Sequence, residues 1–445
     1  MRKIETHAFS DLSMNTYGLE YVSRILSEQG WDVSPFSDQS SCPVLVSLYW
    51  QEQLYPFLLW RYASGMRGRQ VIVGGNYPTT SPHIFRHFDC DVFLGDGESF
   101  DFELLNNTTI NIAEEIKPFP FVEKQTQSRG RCEISRGCKN SCLFCQYSWL
   151  KPYREASIVD IDNTMRELVD MGITSTRVFA ADRFQHSEIE RIEEISGLHG
   201  IDNISMNASI RAINNNKHVL PGQTKIQAGV EGMSERLRKL VAKPISDDML
   251  IDTLQSVADN GIKSIQLYMI YGLPTETDED VECFVNLIKK IDSALPAGTV
   301  IRFSWNAFQP NALTPFQWEA AASAPRRALQ RYWKSKPNKN IVVINKPTIT
   351  SRWRMIKRML GIRMTEKTKS LAYTIAKKGN TRNPYADDIL NYYLEITGRP
   401  LMDAWERGCD MPWDSFVDYD RDKLVSTCDR YMERHGTPKT KRSKP

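Results

Sequence analysis

A chain of 445 residues with 41% hydrophobic and 25% charged residues is too long for one ordinary core and too apolar for disorder, so two or three folded domains are expected. Its 57 basic and 54 acidic residues leave a formal charge of only +3. No run approaches the roughly 18 apolar residues of a membrane span, and the opening residues lack the apolar stretch of a secretory signal, so no membrane partner is expected and the cytoplasm is the simplest location. There the nine cysteines stay reduced, and a tight cysteine group reads as metal binding or catalysis before it reads as disulfides.

In the first 115 or so residues, "YGLEYVSRILSEQGWDV" has the spacing of an amphipathic helix. "PVLVSLY", "QVIVGGNYP" and "DVFLGDGES" read as strands, the last two entering glycine turns. Strands alternating with helices in this way imply a small doubly wound, Rossmann-like α/β domain over residues 1–115. Gly74 and Gly75 would let the backbone approach a ligand, although service in a tight turn explains them equally well.

The next feature is "RGCKNSCLFCQYS", which places Cys138, Cys142 and Cys145 within eight residues. A structural zinc site wants four ligands, typically two C-x2-C pairs, and no second pair exists. The remaining cysteines are scattered singly and read as buried apolar residues. Cys132, six residues upstream, is a possible fourth ligand, but it falls in the strand that precedes the loop. Three thiolates suit an iron–sulfur cube with a fourth iron open to a small molecule.

Downstream, β-rich runs at 131–137, 176–180, 203–209, 224–231, 264–272 and 299–308 alternate with helical patterns such as "IDNTMRELVDMG" and "DDMLIDTLQSVADNG". Six such steps imply a parallel sheet curled into a partial (β/α)6 barrel over 128–310, whose reactive loops leave the C-terminal ends of the strands. The cysteine loop follows the first of them.

Here the residues reach a resemblance. "CKNSCLFC", including the aromatic Phe144, resembles the CxxxCxxC signature of the radical S-adenosylmethionine (SAM) superfamily. "GVEGMSERLRKLVAKPIS" and "YGLPTETDED" resemble segments of a branch of that superfamily in which a cobalamin-type domain precedes the barrel. "VIVGGNYPTTSP" and "CDVFLGDGE" are similar to the last third of such domains. The resemblance implies a 4Fe-4S cluster on Cys138, Cys142 and Cys145, SAM on the open iron, and a reducing electron donor of flavodoxin or ferredoxin type. It further implies that Asp182, in "FAAD" where the family has Gly-Gly-Glu, meets SAM's amino group. Ser209 and Arg211 of "ASIRA" stand where the family contacts ribose and carboxylate, and Glu231 is a candidate for a ribose or active-site contact. As a bare sequence, Asp182 reads equally as a helix N-cap. Glycine and proline of Gly272-Leu273-Pro274 shape a turn, and Glu276 or Asp278 can cap the helix after it. The cobalt-ligating pattern D-x-H-x-x-G is not present; "ETHAFS" offers only His7, so cobalamin is a possible rather than a required cofactor.

Between Arg326 and Lys369 the chain carries 14 Lys or Arg and one acid, Glu366, so the rest of the chain is net acidic. Arg326, Arg327, Arg331, Arg352, Arg354, Lys357 and Arg358, with Trp333 and Trp353 among them, form a candidate nucleic-acid surface: cations for phosphate, aromatic faces for bases. A solvated basic face or a dock for an acidic partner is the alternative. This segment opens a basic, mostly helical C-terminal region, 311–435, followed by a tail, 436–445, that reads as disordered. Three functional readings follow: radical modification of an inert C–H position, with a nucleic-acid base as one candidate substrate; cobalamin-dependent methylation or rearrangement of a peptide or small molecule; and a non-catalytic iron–sulfur protein that binds nucleic acid or senses redox state.

Overall fold

In a computed structural model, the described residues are 2–9, 17–63, 66, 68–122, 129–203, 206–220, 225–296, 298–322, 324–335, 341–344, 349–378 and 386–437. The chain divides into two units: residues 1–114, 123–127 and 353–421 form the first, and 115–122, 128–352 and 422–445 the second.

The first unit opens with β1 (Lys3–Ala8), α1 (Tyr17–Glu28), β2 (Asp32–Pro35), β3 (Val44–Ser47), α2 (Leu54–Arg61), β4 (Val71–Gly74), two short helices α3 (Asn76–Thr80) and α4 (Pro82–Arg86), and β5 (Asp91–Val92). The strands pair in parallel in the order β2-β1-β3-β4-β5, the doubly wound arrangement expected from the alternation. Val44, Leu45, Val46, Val71, Ile72 and Val73 are buried with no polar alternation, as a sheet covered on both faces requires.

In the second unit β6 (Phe121–Val122) runs antiparallel to β7 (Arg129–Glu133). β8 (Ser135–Arg136) and β9 (Arg154–Glu155) make a two-stranded bracket. The barrel then proceeds through α5 (Ile158–Asp170), β10 (Ser175–Phe179), α6 (Ile189–Leu198), β11 (Asp202–Asn203), β12 (Met206–Asn207), α7 (Ile210–Asn215), β13 (Lys225–Glu231), α8 (Glu235–Leu240), α9 (Asp247–Asp259), β14 (Ser264–Tyr271), α10 (Asp278–Ala294), β15 (Val300–Ala307), α11 (Arg327–Ser335) and β16 (Ile341–Ile344). Apart from β6 and the antiparallel β8–β9 bracket, pairing is parallel, in the orders β6-β7-β10-β11 and β12-β13-β14-β15-β16. The strand expected at 203–209 is two short pieces, one pairing with β10 and the other with β13. β16 is a strand that lies inside the basic stretch and was not expected.

Helix boundaries follow local chemistry. The Ser157 hydroxyl accepts from the Asp160 N–H to start α5, and Thr277 and Asp280 form a reciprocal capping box at α10. Their apolar faces, Ile161, Met165 and Leu168 on α5 and Val281, Phe284, Leu287, Ile288 and Ile291 on α10, are buried.

α12 (Ile349–Arg363), α13 (Lys369–Lys378) and α14 (Ala386–Thr397) follow, and α15 (Arg421–His435) closes the described chain. The expected single C-terminal region, 311–435, is therefore shared between the units. The physical reason is specific pairing: Tyr77 donates to the Gly361 carbonyl at 2.6 Å and Tyr55 to the Lys357 carbonyl at 2.8 Å. α15 instead buries Leu424 and Cys428, and Cys428 joins the barrel core. The tail from 438 on lies outside the described residues. Among the described residues no helix is long and apolar enough to cross a membrane.

Candidate cluster and cofactor site

The cysteine loop is shaped by chain remote from it in sequence. Gly137 enters it at φ +78°, and a side chain there would meet the Pro152 carbonyl at 2.5 Å, so only glycine passes. The Leu143 N–H donates to the Val241 carbonyl, and the Leu143 carbonyl accepts from the Phe316 N–H. The Phe144 carbonyl accepts from the Asn311 side chain at 3.1 Å, and the Gln146 side chain donates to the Ala312 carbonyl at 3.1 Å. The ring of Phe144 packs on the barrel core.

Cys142 is buried, Cys138 and Cys145 half-buried, and all three are free thiols. Burial pushes the Cys142 thiol up to about 12, with Lys243 pulling the other way, and burial also raises Cys145. A buried thiol held protonated is relieved of that cost when a metal takes the place of the proton. Among the described residues the thiols are not gathered on one point, as a single ion would need. A cube meets each thiolate at a different iron. Cys132 is fully buried against the outer core of Ile161, Met165 and Leu168, and burial raises its thiol far above the usual range.

Asp182, at the end of the β10 step, is 4% exposed. One carboxylate oxygen accepts the Ser209 N–H at 3.2 Å, while Oδ1 is buried without a partner. Burial raises its pKa against the opposing hydrogen bonds from Ser209 and from the Phe184 N–H. Such an orphaned acceptor is costly to leave unpaired. Ser209 caps α7, its hydroxyl accepting the Ala212 N–H, and Arg211 is exposed one turn further on.

On β13 the register against β14 shifts between Gly229 and Glu231, and Glu231 takes φ +65°. A bulge of this kind re-aims a side chain at a strand end, and strain of this kind clusters at functional sites. Lys243, twelve residues on, donates to Glu231 at 3.0 Å. Burial opposes its charge, but Glu231 outweighs that and holds the ammonium protonated. A side chain at Gly229 would collide with both tips. Lys243 was not singled out from the sequence, although it closes the quoted "GVEGMSERLRKLVAK" segment. Gln185, also missed, donates to Cys138 Sγ at 3.4 Å.

Inward-facing positions of the barrel are polar. Gln227 bridges Gln266 at 3.2 Å and the Tyr268 hydroxyl at 3.3 Å. Nε of Arg177 is buried without a partner.

The basic stretch corrects the sequence reading. Trp333 is 6% exposed and packs on Trp305, and Trp353 is 9% exposed, so neither ring is open for a base. Arg326 bonds with Glu276 and Asp278, and Arg358 with Glu52. Arg327, Arg331, Arg352 and Arg354 are exposed and Lys357 half-buried. The stretch is also divided between the two units at residue 353.

Residues 132–288 match the family model described as the Radical SAM superfamily. The chain is 25% identical over 218 residues to an uncharacterized protein of Methanocaldococcus jannaschii, covering 47% of each chain. It is 28% identical over 168 residues to an uncharacterized methyltransferase of Pyrococcus horikoshii, covering 36% of each. It is 21% identical to the threonylcarbamoyladenosine tRNA methylthiotransferase MtaB of Thermotoga maritima, over 66% of this chain and 73% of that one. The matches span half or less of the first two relatives. Among solved structures, apo cobalamin-dependent S-adenosylmethionine radical enzyme OxsB has a similar fold at 13% identity and a TM-score of 0.53, over 98% of this chain and 84% of that one.

Proposed function

We propose that the chain acts as a radical SAM enzyme, as the match of residues 132–288 to that superfamily's model supports, with Cys138, Cys142 and Cys145 holding a 4Fe-4S cluster at which SAM is cleaved to modify an inert C–H position. When bound, the cluster supplies one electron that splits SAM into methionine and a 5'-deoxyadenosyl radical. The residues fit that group: three free thiols lie on a loop fixed by five hydrogen-bonding residues from elsewhere in the unit. The observation that carries the SAM reading is the orphaned Oδ1 of Asp182, a buried acceptor suited to SAM's ammonium. Lys243, held charged beside Glu231 and Cys142, is suited to the carboxylate, a role for which exposed Arg211 is less well placed. Glu231 remains the candidate for a ribose hydroxyl. The electron donor is read as a flavodoxin- or ferredoxin-type protein acting in the cytoplasm.

The test is product analysis after anaerobic cluster reconstitution and reduction. 5'-Deoxyadenosine formed with SAM supports the reading, and a reconstituted, reducible cluster that yields none with any candidate substrate would sink it.

A second reading, cobalamin-dependent methyl transfer, draws on the OxsB-like fold and on the methyltransferase relative. The described residues of the first unit do not fit cobalt ligation. His7 is stacked on Trp60 at 4.8 Å and flanked by Phe9 and Phe36, and burial lowers its pKa. The space beside Gly75 is filled by the chain's own Leu48 carbonyl, which a side chain would meet at 2.7 Å. No step is therefore assigned to cobalamin. Modification of a nucleic-acid base draws on the MtaB relative and on the exposed cations of α11, but it lacks the stacking tryptophans.

A further inference from the structure

Resting on the cluster assignment above, we propose that Gln185 is a positioning residue that donates a hydrogen bond to the Cys138 thiolate and thereby raises the reduction potential of the cluster. Gln185 ends the short turn Arg183–Gln185 that follows β10, three residues beyond Asp182. Its amide is fixed in orientation by independent partners. The Lys139 N–H donates to Oε1 at 2.7 Å, which leaves Nε2 as the atom 3.4 Å from Cys138 Sγ. A reversed amide would set one N–H against another, so the network decides the orientation.

The other end of the residue is gripped as well. The Gln185 carbonyl accepts from Lys139 Nζ at 2.7 Å, and the same ammonium reaches Glu155 at 3.2 Å and stands 4.4 Å over the Tyr153 ring. Glu155 in turn accepts from Tyr153, from the Ser187 N–H and from the Ser187 hydroxyl. These bonds hold its carboxyl down at about 2 against the opposing effect of burial. Gln185 and Lys139 thus clasp each other twice around the first cysteine of the loop.

Hydrogen bonds to ligand sulfurs are among the levers that set iron–sulfur potentials. Reduction adds negative charge to the cluster and its thiolates. An N–H aimed at sulfur stabilises that form more than the oxidised one, and losing the donor moves the midpoint to more negative values. The Cys145 thiol receives backbone N–H groups of Tyr147 and Ser148, whereas Cys138 receives the side-chain donor of Gln185.

The experiment is an EPR-monitored redox titration of the reconstituted full-length protein without SAM, with iron and sulfide counted in parallel. Gln185→Leu removes both amide bonds. Gln185→Glu keeps the acceptor for Lys139 and replaces the donor with an anion. Both variants are expected to keep wild-type iron and sulfide content and to shift the midpoint negative, Gln185→Glu further than Gln185→Leu. Unchanged midpoints in variants with full clusters overturn the proposal and leave the cluster assignment standing. Failure of both variants to assemble a cluster that the wild type assembles overturns the tuning role in favour of one confined to assembly. A wild type that takes up no cluster overturns the assignment itself, and the proposal with it.

Discussion

Each unit is built on largely parallel sheet structure, and the two use the C-terminal ends of their strands differently. In the first unit those ends are consumed by packing: Gly75 lies against the Leu48 carbonyl, His7 sits among Phe9, Phe36 and Trp60, and Tyr77 bonds to Gly361. In the barrel the corresponding ends keep free thiols, the orphaned Oδ1 of Asp182 and a half-buried charged pair, Glu231–Lys243. Alternating strands and helices say that a ligand could bind at either place. Both units bury polar atoms without partners, Ser81 Oγ in the first and Asp182 Oδ1 in the second, and what the barrel adds is three thiols on one loop.

The largest effect expected from breaking this contrast is on the cysteines. Replacing any of Cys138, Cys142 or Cys145 with Ala should abolish cluster iron and 5'-deoxyadenosine formation. Cys132→Ala should keep both and cost about 1 kcal/mol of stability, the loss of a small buried side chain. Loss of iron in the Cys132 variant, read by colorimetric assay, would show the ligand count to be wrong.

Next come the residues assigned to SAM. Asp182→Ala and Lys243→Met each remove a charge-assisted partner worth roughly 1.5–3 kcal/mol, which corresponds to about a 10- to 100-fold loss of SAM affinity. Equilibrium binding to the reconstituted, oxidised protein measures this. By contrast, His7→Ala in the first unit should leave SAM affinity unchanged.

One buried group in each unit, His83 and Glu276, should answer pH in opposite directions. His83 is fully buried, and burial together with His87 lowers its pKa to about 3, against the opposing bond to the Ile362 carbonyl. A group depressed on folding contributes stability that is present above its unfolded pKa near 6.5 and is lost as pH falls toward 3. Glu276 behaves inversely. Burial raises it to about 7, against the opposing Gly272 N–H. Its contribution is complete below about pH 4.5 and is lost as pH rises through 7, by at most about 3 kcal/mol over that interval. Glu276→Gln should therefore gain on the wild type as pH rises from 4.5 to 7 in chemical denaturation, and an unchanged difference across that range would refute the buried-acid reading.

The basic helix pairs a large core effect with the smallest effect of all, at its exposed cations. Trp333→Ala should destabilise the protein by about 3–5 kcal/mol as a core deletion. Arg327→Ala with Arg331→Ala should change stability by less than about 0.5 kcal/mol. If α11 meets a nucleic acid, the double variant lowers the salt slope of RNA binding by about one per cation removed. An unchanged slope removes that surface from consideration.

Much of the site was legible because it is local. Three cysteines within eight residues, and apolar runs of strand length separated by helical periods, are features of neighbouring residues. The tryptophans misled because their interleaving with cations was noticed and their period was not: Leu329, Tyr332 and Trp333 fall on one face of α11, with Arg327, Arg331 and Lys334 on the other. "IVVI" was short and enclosed by basic residues, so β16 went unseen. Lys243 lies in a loop that shows its purpose only once the β13 bulge turns Glu231 toward it. The docking of 353–421 rests on pairs such as Tyr77 with Gly361, 284 residues apart, for which no local pattern exists.

The tethering of the cysteine loop has a consequence for biosynthesis. Its backbone is held by Val241, Asn311 and Phe316, all translated well after Cys145. While those residues are still in the ribosome the three thiols sit on a loop without its final shape, exposed to oxidation and to the wrong metal. On the cluster assignment proposed above, iron and sulfide would be taken up by a finished chain, in which the loop already has the partners that shape it.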